Sequence, residues 1–268
     1  NTSKKMIHRQ SVPLCPTMYK GYLIDLDGTM FNGDEVIEGA VDFINRLNAA
    51  NIPYLFLTNN ATRNRDQLLE KFHRLGFNTT EGHIYTAAMT MADYIDKRHK
   101  KANVYVVGTP SFKQTISTVA NLADKDVDIV VMGLDPEISY QKLREAGHFI
   151  QNGAEFLATN PDIKIKSSEG FIPGNGAFVN LVSQVTGVKP TFVGKPEKYI
   201  LEGALERLGL NKDEVVLVGD NYDTDILTGI NGEVKTIHVN TGVHSTEYVS
   251  LQTKKPDHLV ENLSEWKI

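Results

Sequence analysis

Tyr22-Leu23-Ile24-Asp25-Leu26-Asp27-Gly28-Thr29 is the stretch from which the fold is read. An apolar run ends in two acids that flank one leucine, with a glycine and a threonine behind them. A run without polar alternation suits a strand buried on both faces, and such strands belong to parallel sheets. Working outward, the pattern recurs. Gly39 to Asn48 reads as an amphipathic helix, Tyr54-Leu55-Phe56-Leu57 as a strand, Arg65 to Leu75 as a helix stopped by Gly76, and Ile84-Tyr85 as a short third strand. Val104 to Val107, Ile129 to Met132 and Phe156 to Ala158 follow, separated by helical periods. Phe192-Val193, Val215 to Val218 and Val234 to Val239 come later. Strand–helix alternation predicts an α/β protein with parallel sheets and helices packed outside them. About ten strands exceed one small sheet, so two α/β lobes are expected.

Composition restricts the function classes. With 41% hydrophobic and 23% charged residues, the 268-residue chain matches an ordinary globular protein and not a disordered or collagen-like one. A net charge of −5 with no long basic block argues against a nucleic-acid partner, which calls for many cations facing phosphates. No apolar run reaches the ~18 residues of a membrane span. The single cysteine, Cys15, cannot form an internal disulfide, so a cytoplasmic protein acting on something small is expected. Residues 1–17 lack the apolar centre of a secretory signal and read as a leader or an N-terminal arm, with translation starting at Met18. Self-association into a homo-oligomer is left open.

Ligands of open α/β sheets bind outside the carboxyl ends of the strands, and polar residues gather there. The first strand runs into Asp25 and Asp27, the second into Thr58-Asn59-Asn60, and Val215 to Val218 into Gly219-Asp220-Asn221-Tyr222-Asp223-Thr224-Asp225. Val193-Gly194-Lys195-Pro196 lies between them, and Pro196 can open a helix so that Lys195 sits at a strand-to-helix turn. Clustered carboxylates repel one another and call for a cation, and an oxygen donor set of this kind selects Mg²⁺. A carboxylate beside Mg²⁺ can attack phosphorus, a lysine can neutralise a phosphoryl group, and a threonine hydroxyl can hydrogen-bond it. The scattered histidines form no HExxH pair, so zinc is not expected.

Asp25-Leu26-Asp27-Gly28-Thr29 resembles the first motif of the haloacid dehalogenase (HAD) superfamily. Thr58, Lys195 and Gly219-Asp220…Asp225 resemble its second, third and fourth motifs, in the right order. Together with Leu57-Thr58-Asn59-Asn60, Ala158-Thr159-Asn160-Pro161-Asp162 and Val193-Gly194-Lys195-Pro196, they are similar to NagD-like phosphatases, and the likeness runs from about Met18 to Lys255. The resemblance implies a Rossmann-like parallel sheet core with helices on both faces, interrupted by an inserted α/β cap domain. It also implies a Mg²⁺-dependent phosphatase that works through an aspartyl phosphate on sugar phosphates or nucleoside monophosphates, with p-nitrophenyl phosphate as a surrogate. Asp25 is then the nucleophile and Asp27 the general acid and base, with Thr58 and Lys195 on the phosphoryl group. Mg²⁺ is held by Asp25, the Asp27 carbonyl and Asp220, with Asp225 and Asn221 behind. Asp223 is left outside the site.

Between Thr58 and Lys195 lies far more chain than an αβ connection needs. The expected division is a catalytic core of residues 18–90 and 190–268 and a cap of residues 91–189. Asn59 and Asn60 are candidate substrate contacts beside the phosphate, and Asn160 and Asp162 in the cap are the first candidates for reading the leaving group. Gly174-Asn175-Gly176 lacks a third glycine and an obvious preceding strand, so it reads as a helix start and not a dinucleotide loop. The rival reading is a phosphate-binding or receiver-like signalling protein without turnover. A receiver places its acidic pair and its phosphorylated acid on different strands, unlike Asp25 and Asp27.

Overall fold

In the computed structural model, which describes residues 19–268, the chain begins with β1 (Gly21–Ile24), a small hairpin of β2 (Phe31–Asn32) and β3 (Glu35–Val36), and α1 (Ala40–Ala49). β4 (Tyr54–Thr58), α2 (Arg65–Arg74), β5 (Ile84–Thr86) and α3 (Ala87–Arg98) follow. Next come β6 (Asn103–Val107), α4 (Pro110–Ser117), β7 (Asn121–Leu122), β8 (Ile129–Met132), α5 (Tyr140–Gln151) and β9 (Glu155–Ala158). A hairpin of β10 (Lys164–Ser167) and β11 (Gly170–Pro173) leads to α6 (Asn175–Thr186) and β12 (Thr191–Phe192). The chain closes with α7 (Lys198–Leu208), β13 (Val215–Gly219), α8 (Leu227–Gly232), β14 (Lys235–Val239), α9 (Thr246–Ser250) and β15 (His258–Val260). Among the described residues no helix is long and apolar enough to cross a membrane.

Six strands form one sheet in the order β15-β14-β13-β1-β4-β5, and every pairing in it is parallel. β1 shows why its sequence carries no alternation. Tyr22 and Ile24 enter one core with Phe43, Phe56 and Val218, while Leu23 enters the opposite one with Leu55, Ile200 and Leu217. Helices cover both faces, so both sets of side chains leave water. The helices start and stop on local chemistry. Asn64 accepts from the Gln67 N–H while Gln67 accepts in return from the Asn64 N–H, which caps α2. Pro110 behind the Thr109 cap opens α4.

A second sheet, in the order β12-β9-β8-β6-β7, is likewise parallel throughout. One of its faces packs Val104, Val106 and Ile129 against Met91 and Ile95 of α3, and the other packs Val130, Phe156 and Ala158 against Ile150, Val179 and Val182. The boundaries expected from the sequence shift accordingly. A cut at 91 divides α3, which is one continuous helix from Ala87, and a cut at 190 assigns β12 to the first sheet although it pairs with β9. Two-residue β12 has too little apolar length to reveal its partner. Gly174-Asn175-Gly176 opens α6 as read, but a strand, β11, does precede it. The expected leader or arm, residues 1–17, lies outside the described residues.

Candidate active site

β1 and β13 are parallel neighbours, and the chain continues from them in opposite directions across the sheet. Such a switch point leaves a crevice at the carboxyl ends of the two strands. Asp25 follows β1 and Asp220 follows β13, so both carboxylates reach this crevice. One carboxylate oxygen from each of Asp25, Asp220 and Asp225 lies within 4.8 Å of the others. Lys195, at 3% exposure, enters from the side: its Nζ donates to Asp25 Oδ1 at 2.7 Å, to Asp225 Oδ1 at 2.7 Å and to the Leu57 carbonyl at 3.1 Å.

The loops are shaped to bring these groups together. Gly28 has φ +86°, and a Cβ there would stand 2.3 Å from Asp220 Oδ2, so both its backbone and its closeness to Asp220 require glycine. The turn lets Thr29 place its Oγ1 3.2 Å from Asp25 Oδ2 and 3.2 Å from Asp220 Oδ1, where its one proton serves one acid at a time. From the loop after β14 the Val243 N–H donates to Asp220 Oδ2 at 2.7 Å. A single wide turn over Tyr222–Ile226 carries Asp225, whose Oδ2 accepts from the Asn221 N–H at 3.1 Å. Buried His238 supports the same region, its Nε2 lying 3.0 Å from the Asp220 carbonyl and 2.9 Å from that of His244.

Burial dominates the electrostatics. It pushes the Asp220 carboxyl up to about 9, helped by the neighbouring charges of Asp25 and Asp225. Burial and the Asp25 charge raise Asp225 to about 7 against the pull of Lys195. For Lys195 burial opposes the charge, but Asp225 and Asp25 outweigh it and hold the ammonium above the ordinary lysine range. Asp27 is exposed to solvent on one side yet crowded by protein on the other. Desolvation and then the Asp25 charge raise its carboxyl, opposed by Lys71, Lys195 and Arg63. Three close carboxylates with one ammonium leave two negative charges uncompensated when all are ionised. This oxygen-only set, crowded and excess in negative charge, fits a hard divalent cation.

The remaining sequence candidates fall into two groups. Thr58 is 4% exposed at the end of β4, and its Oγ1 accepts from the Asn60 N–H at 3.0 Å. Asn60 directs its side chain to Thr62, Asn221 caps the Tyr222 turn by accepting from the Asp223 N–H, and Asp223 is exposed. Asn59, Asn160 and Asp162 engage one another: Asp162 Oδ2 accepts from both Asn59 and Asn160. Sequence reasoning missed Thr29, although it stood inside the quoted motif. It also missed Val243 and His238, for which a mixed loop and a lone histidine carried no signal.

Comparison with known proteins follows the same lines. A family model described as haloacid dehalogenase-like hydrolase matches residues 22–120, and one described as HAD-hydrolase-like matches residues 192–266. An acid sugar phosphatase of Staphylococcus epidermidis is 45% identical over 249 residues, covering 92% of this chain and 96% of the relative. One from Staphylococcus aureus is 46% identical over 250 residues, with the same coverage. Among solved structures, a double mutant of the thermostable NPPase from Geobacillus stearothermophilus superposes with a TM-score of 0.88 at 43% identity, over 93% of this chain and 98% of that one. NagD from E. coli K-12 gives 0.88 at 29% identity, over 93% and 99%.

Proposed function

We propose, from the premise that this chain belongs to the haloacid dehalogenase-like hydrolases and is a phosphatase, that it hydrolyses small phosphorylated metabolites through a phosphorylated Asp25. Sugar phosphates lead nucleoside monophosphates as substrates, a ranking supported by the relatives named acid sugar phosphatase. The single observation that carries the mechanism is the setting of Asp25. Its carboxylate is held by Lys195 at 2.7 Å, faces Asp220 across Thr29, and has Asp27 two residues further along the chain.

An Asp25 carboxylate oxygen attacks phosphorus, forming the P–O bond of an acyl phosphate as the bond to the leaving oxygen breaks. Asp27 gives its proton to that oxygen, and its raised pKa favours the protonated acid this step needs. Asp27 then takes a proton from a water that attacks the aspartyl phosphate, releasing phosphate and restoring Asp25. Lys195 and the Thr58 hydroxyl bind phosphoryl oxygens, and the Lys195 contact to Asp25 fixes the direction of attack. Asp25, the Asp27 carbonyl and Asp220, backed by Asp225 and Asn221, would hold Mg²⁺, which when bound supplies positive charge to phosphoryl oxygens and relieves carboxylate repulsion. The second lobe would act as a cap that limits water and reads the leaving group. Mg²⁺-dependent, multiple-turnover phosphate release from p-nitrophenyl phosphate tests the reading. Full activity after exhaustive chelation, or release limited to one equivalent, would overturn it.

The acid pair predicts an unusual pH dependence of stability. Without metal, Asp220 and Asp225 keep protons in the fold that ordinary carboxyls of the unfolded chain have already released at neutral pH. The native state then binds more protons, so stability falls as pH rises from about 5 to about 9. Mg²⁺ is expected to raise Tm more at pH 8.5 than at pH 6 and to flatten this slope. Scanning calorimetry with and without Mg²⁺ checks it, and an equal Tm increment at both values would refute it.

A further inference from the structure

We propose that Asn59 is a positioning residue that sets Lys195 in the phosphoryl site, and that Asp162 of the second lobe holds Asn59 in that role. The proposal rests on Lys195 serving the phosphoryl group, as above. Asn59 and Lys195 are 136 positions apart, yet one carboxamide meets both polar atoms of the Lys195 backbone. The Lys195 N–H donates to Asn59 Oδ1 at 2.8 Å, and Asn59 Nδ2 donates to the Lys195 carbonyl at 2.9 Å. A backbone unit held at its N–H and its C=O by one side chain cannot turn about φ or ψ without losing a bond. The lysine tip is tied to the same strand end, through Nζ to the Leu57 carbonyl at 3.1 Å. Root and tip of a long, rotamer-rich side chain are thus both fixed to the end of β4. The approach depends on the residue before Lys195: a Cβ on Gly194 would stand 2.6 Å from Asn59 Oδ1 and 2.4 Å from the Thr159 carbonyl.

Asn59 Nδ2 has a second hydrogen, and it points to Asp162 Oδ2 at 3.3 Å. That oxygen also accepts from Asn160 Nδ2. The segment carrying Asn160 and Asp162 is itself held to the second sheet. Asn175, 1% exposed, sets its Nδ2 3.2 Å from the Met132 carbonyl, the Thr159 hydroxyl and the Asn160 carbonyl. Gly174 and Gly176 make room for the segment, since a Cβ on Gly174 would stand 2.2 Å from the Asp162 carbonyl and one on Gly176 2.0 Å from the Pro161 carbonyl. This gives the glycine–asparagine–glycine sequence at the start of α6 a structural purpose that no phosphate loop supplies. A chain of contacts therefore runs from the second sheet through Asp162 and Asn59 to Lys195, so that seating of that lobe and placement of the lysine go together. Asn59 acts through Lys195 and not through the leaving group.

The test compares the wild-type protein with Asn59→Asp, Asp162→Ala and the double variant Asn59→Asp/Asp162→Asn, using p-nitrophenyl phosphate, glucose 6-phosphate and AMP with Mg²⁺. Asn59→Asp cannot donate to the Lys195 carbonyl and faces Asp162 with a like charge. It is expected to lower kcat for every ester by one common factor of about tenfold or more, with KM moving less than about threefold. In the double variant the carboxamide introduced at position 162 can accept from Asn160 and donate to the carboxylate introduced at position 59. There kcat should recover by at least about threefold over Asn59→Asp. Orthophosphate affinity, measured by calorimetry without turnover, should follow the same order. If Asn59→Asp does not fold, Asp162→Ala carries the test, with a common loss of kcat across the esters. Altered KM with a reordered ester series, no recovery in a folded double variant, or unchanged kcat in Asp162→Ala would each overturn the proposal. An inactive wild-type protein would count against the phosphatase mechanism itself and is read before any variant is compared. The orthophosphate series then still decides whether Asn59 acts through Lys195.

Discussion

The Asp25→Asn substitution is expected to abolish turnover while the fold persists. It keeps the size of the side chain and one carbonyl oxygen to accept from Lys195 in place of Oδ1, with the amide NH2 turned to the Thr29 hydroxyl in place of Oδ2, but an amide is a poor nucleophile at phosphorus. Losing a nucleophile on this scheme should lower kcat by on the order of a thousandfold or more, in line with losses at other covalent enzymes. The variant also removes one of three crowded carboxylates, so it should not be less stable than wild type without metal at pH 8. Steady-state phosphate release from a freshly prepared, mass-verified sample, beside a thermal melt, checks both. Near-wild-type turnover would exclude Asp25 as nucleophile. Deamidation accounts only for activity that grows as the sample ages.

Removing Lys195 should damage both activity and stability. Lys195→Ala leaves Asp25 and buried Asp225 facing each other and Asp220 without the ammonium that now lies 2.7 Å from the first two. Breaking a buried ion pair from one side costs about 3–5 kcal/mol. Asp225 is already raised to about 7 with the lysine in place, and without it the carboxyl holds its proton more firmly still. Protonation relieves the repulsion, so the variant's stability deficit should shrink as pH falls from 8 to 5. This is the sign expected for a buried acid that loses its counter-charge. Activity should fall for all phosphate esters by a similar factor, because the ammonium serves the phosphoryl charge that every ester shares. Denaturation at the two pH values and kinetics on several esters provide the check. A deficit independent of pH, or a reordered ester series, would contradict the assignment.

The alternation of buried strands and amphipathic helices was legible in the sequence because it is local. A strand covered on both faces must be apolar throughout, as Tyr22 to Ile24 and Val215 to Val218 are, and Gly76 marked the end of α2. Short elements were less legible. Phe192-Val193 read as a strand, but two residues could not reveal that β12 pairs with β9, and the β2–β3 hairpin, with two residues per strand, is too short for any period. Among the site candidates, Asp25, Asp220, Asp225 and Lys195 stood out because they gather at the carboxyl ends of the strands and match four motifs in the right order, and the fold does bring these four side chains together.

What the sequence determined by itself is which apolar segments become strands and which polar residues stand at their ends. The tertiary structure decided which of those ends meet. Parallel pairing of β1 with β13 puts Asp25 beside Asp220, and the Val243 N–H arrives from a loop with no motif of its own. It also decided what each polar group does. Asn59, Asn160 and Asp162 read in the sequence as candidate substrate contacts, and only the fold shows that their side chains bond to one another and that Asn59 also bonds to the Lys195 backbone. The physical reason is that a buried donor or acceptor must find a partner. A strand's apolar pattern is set along the chain, whereas a hydrogen-bond partner is chosen in space.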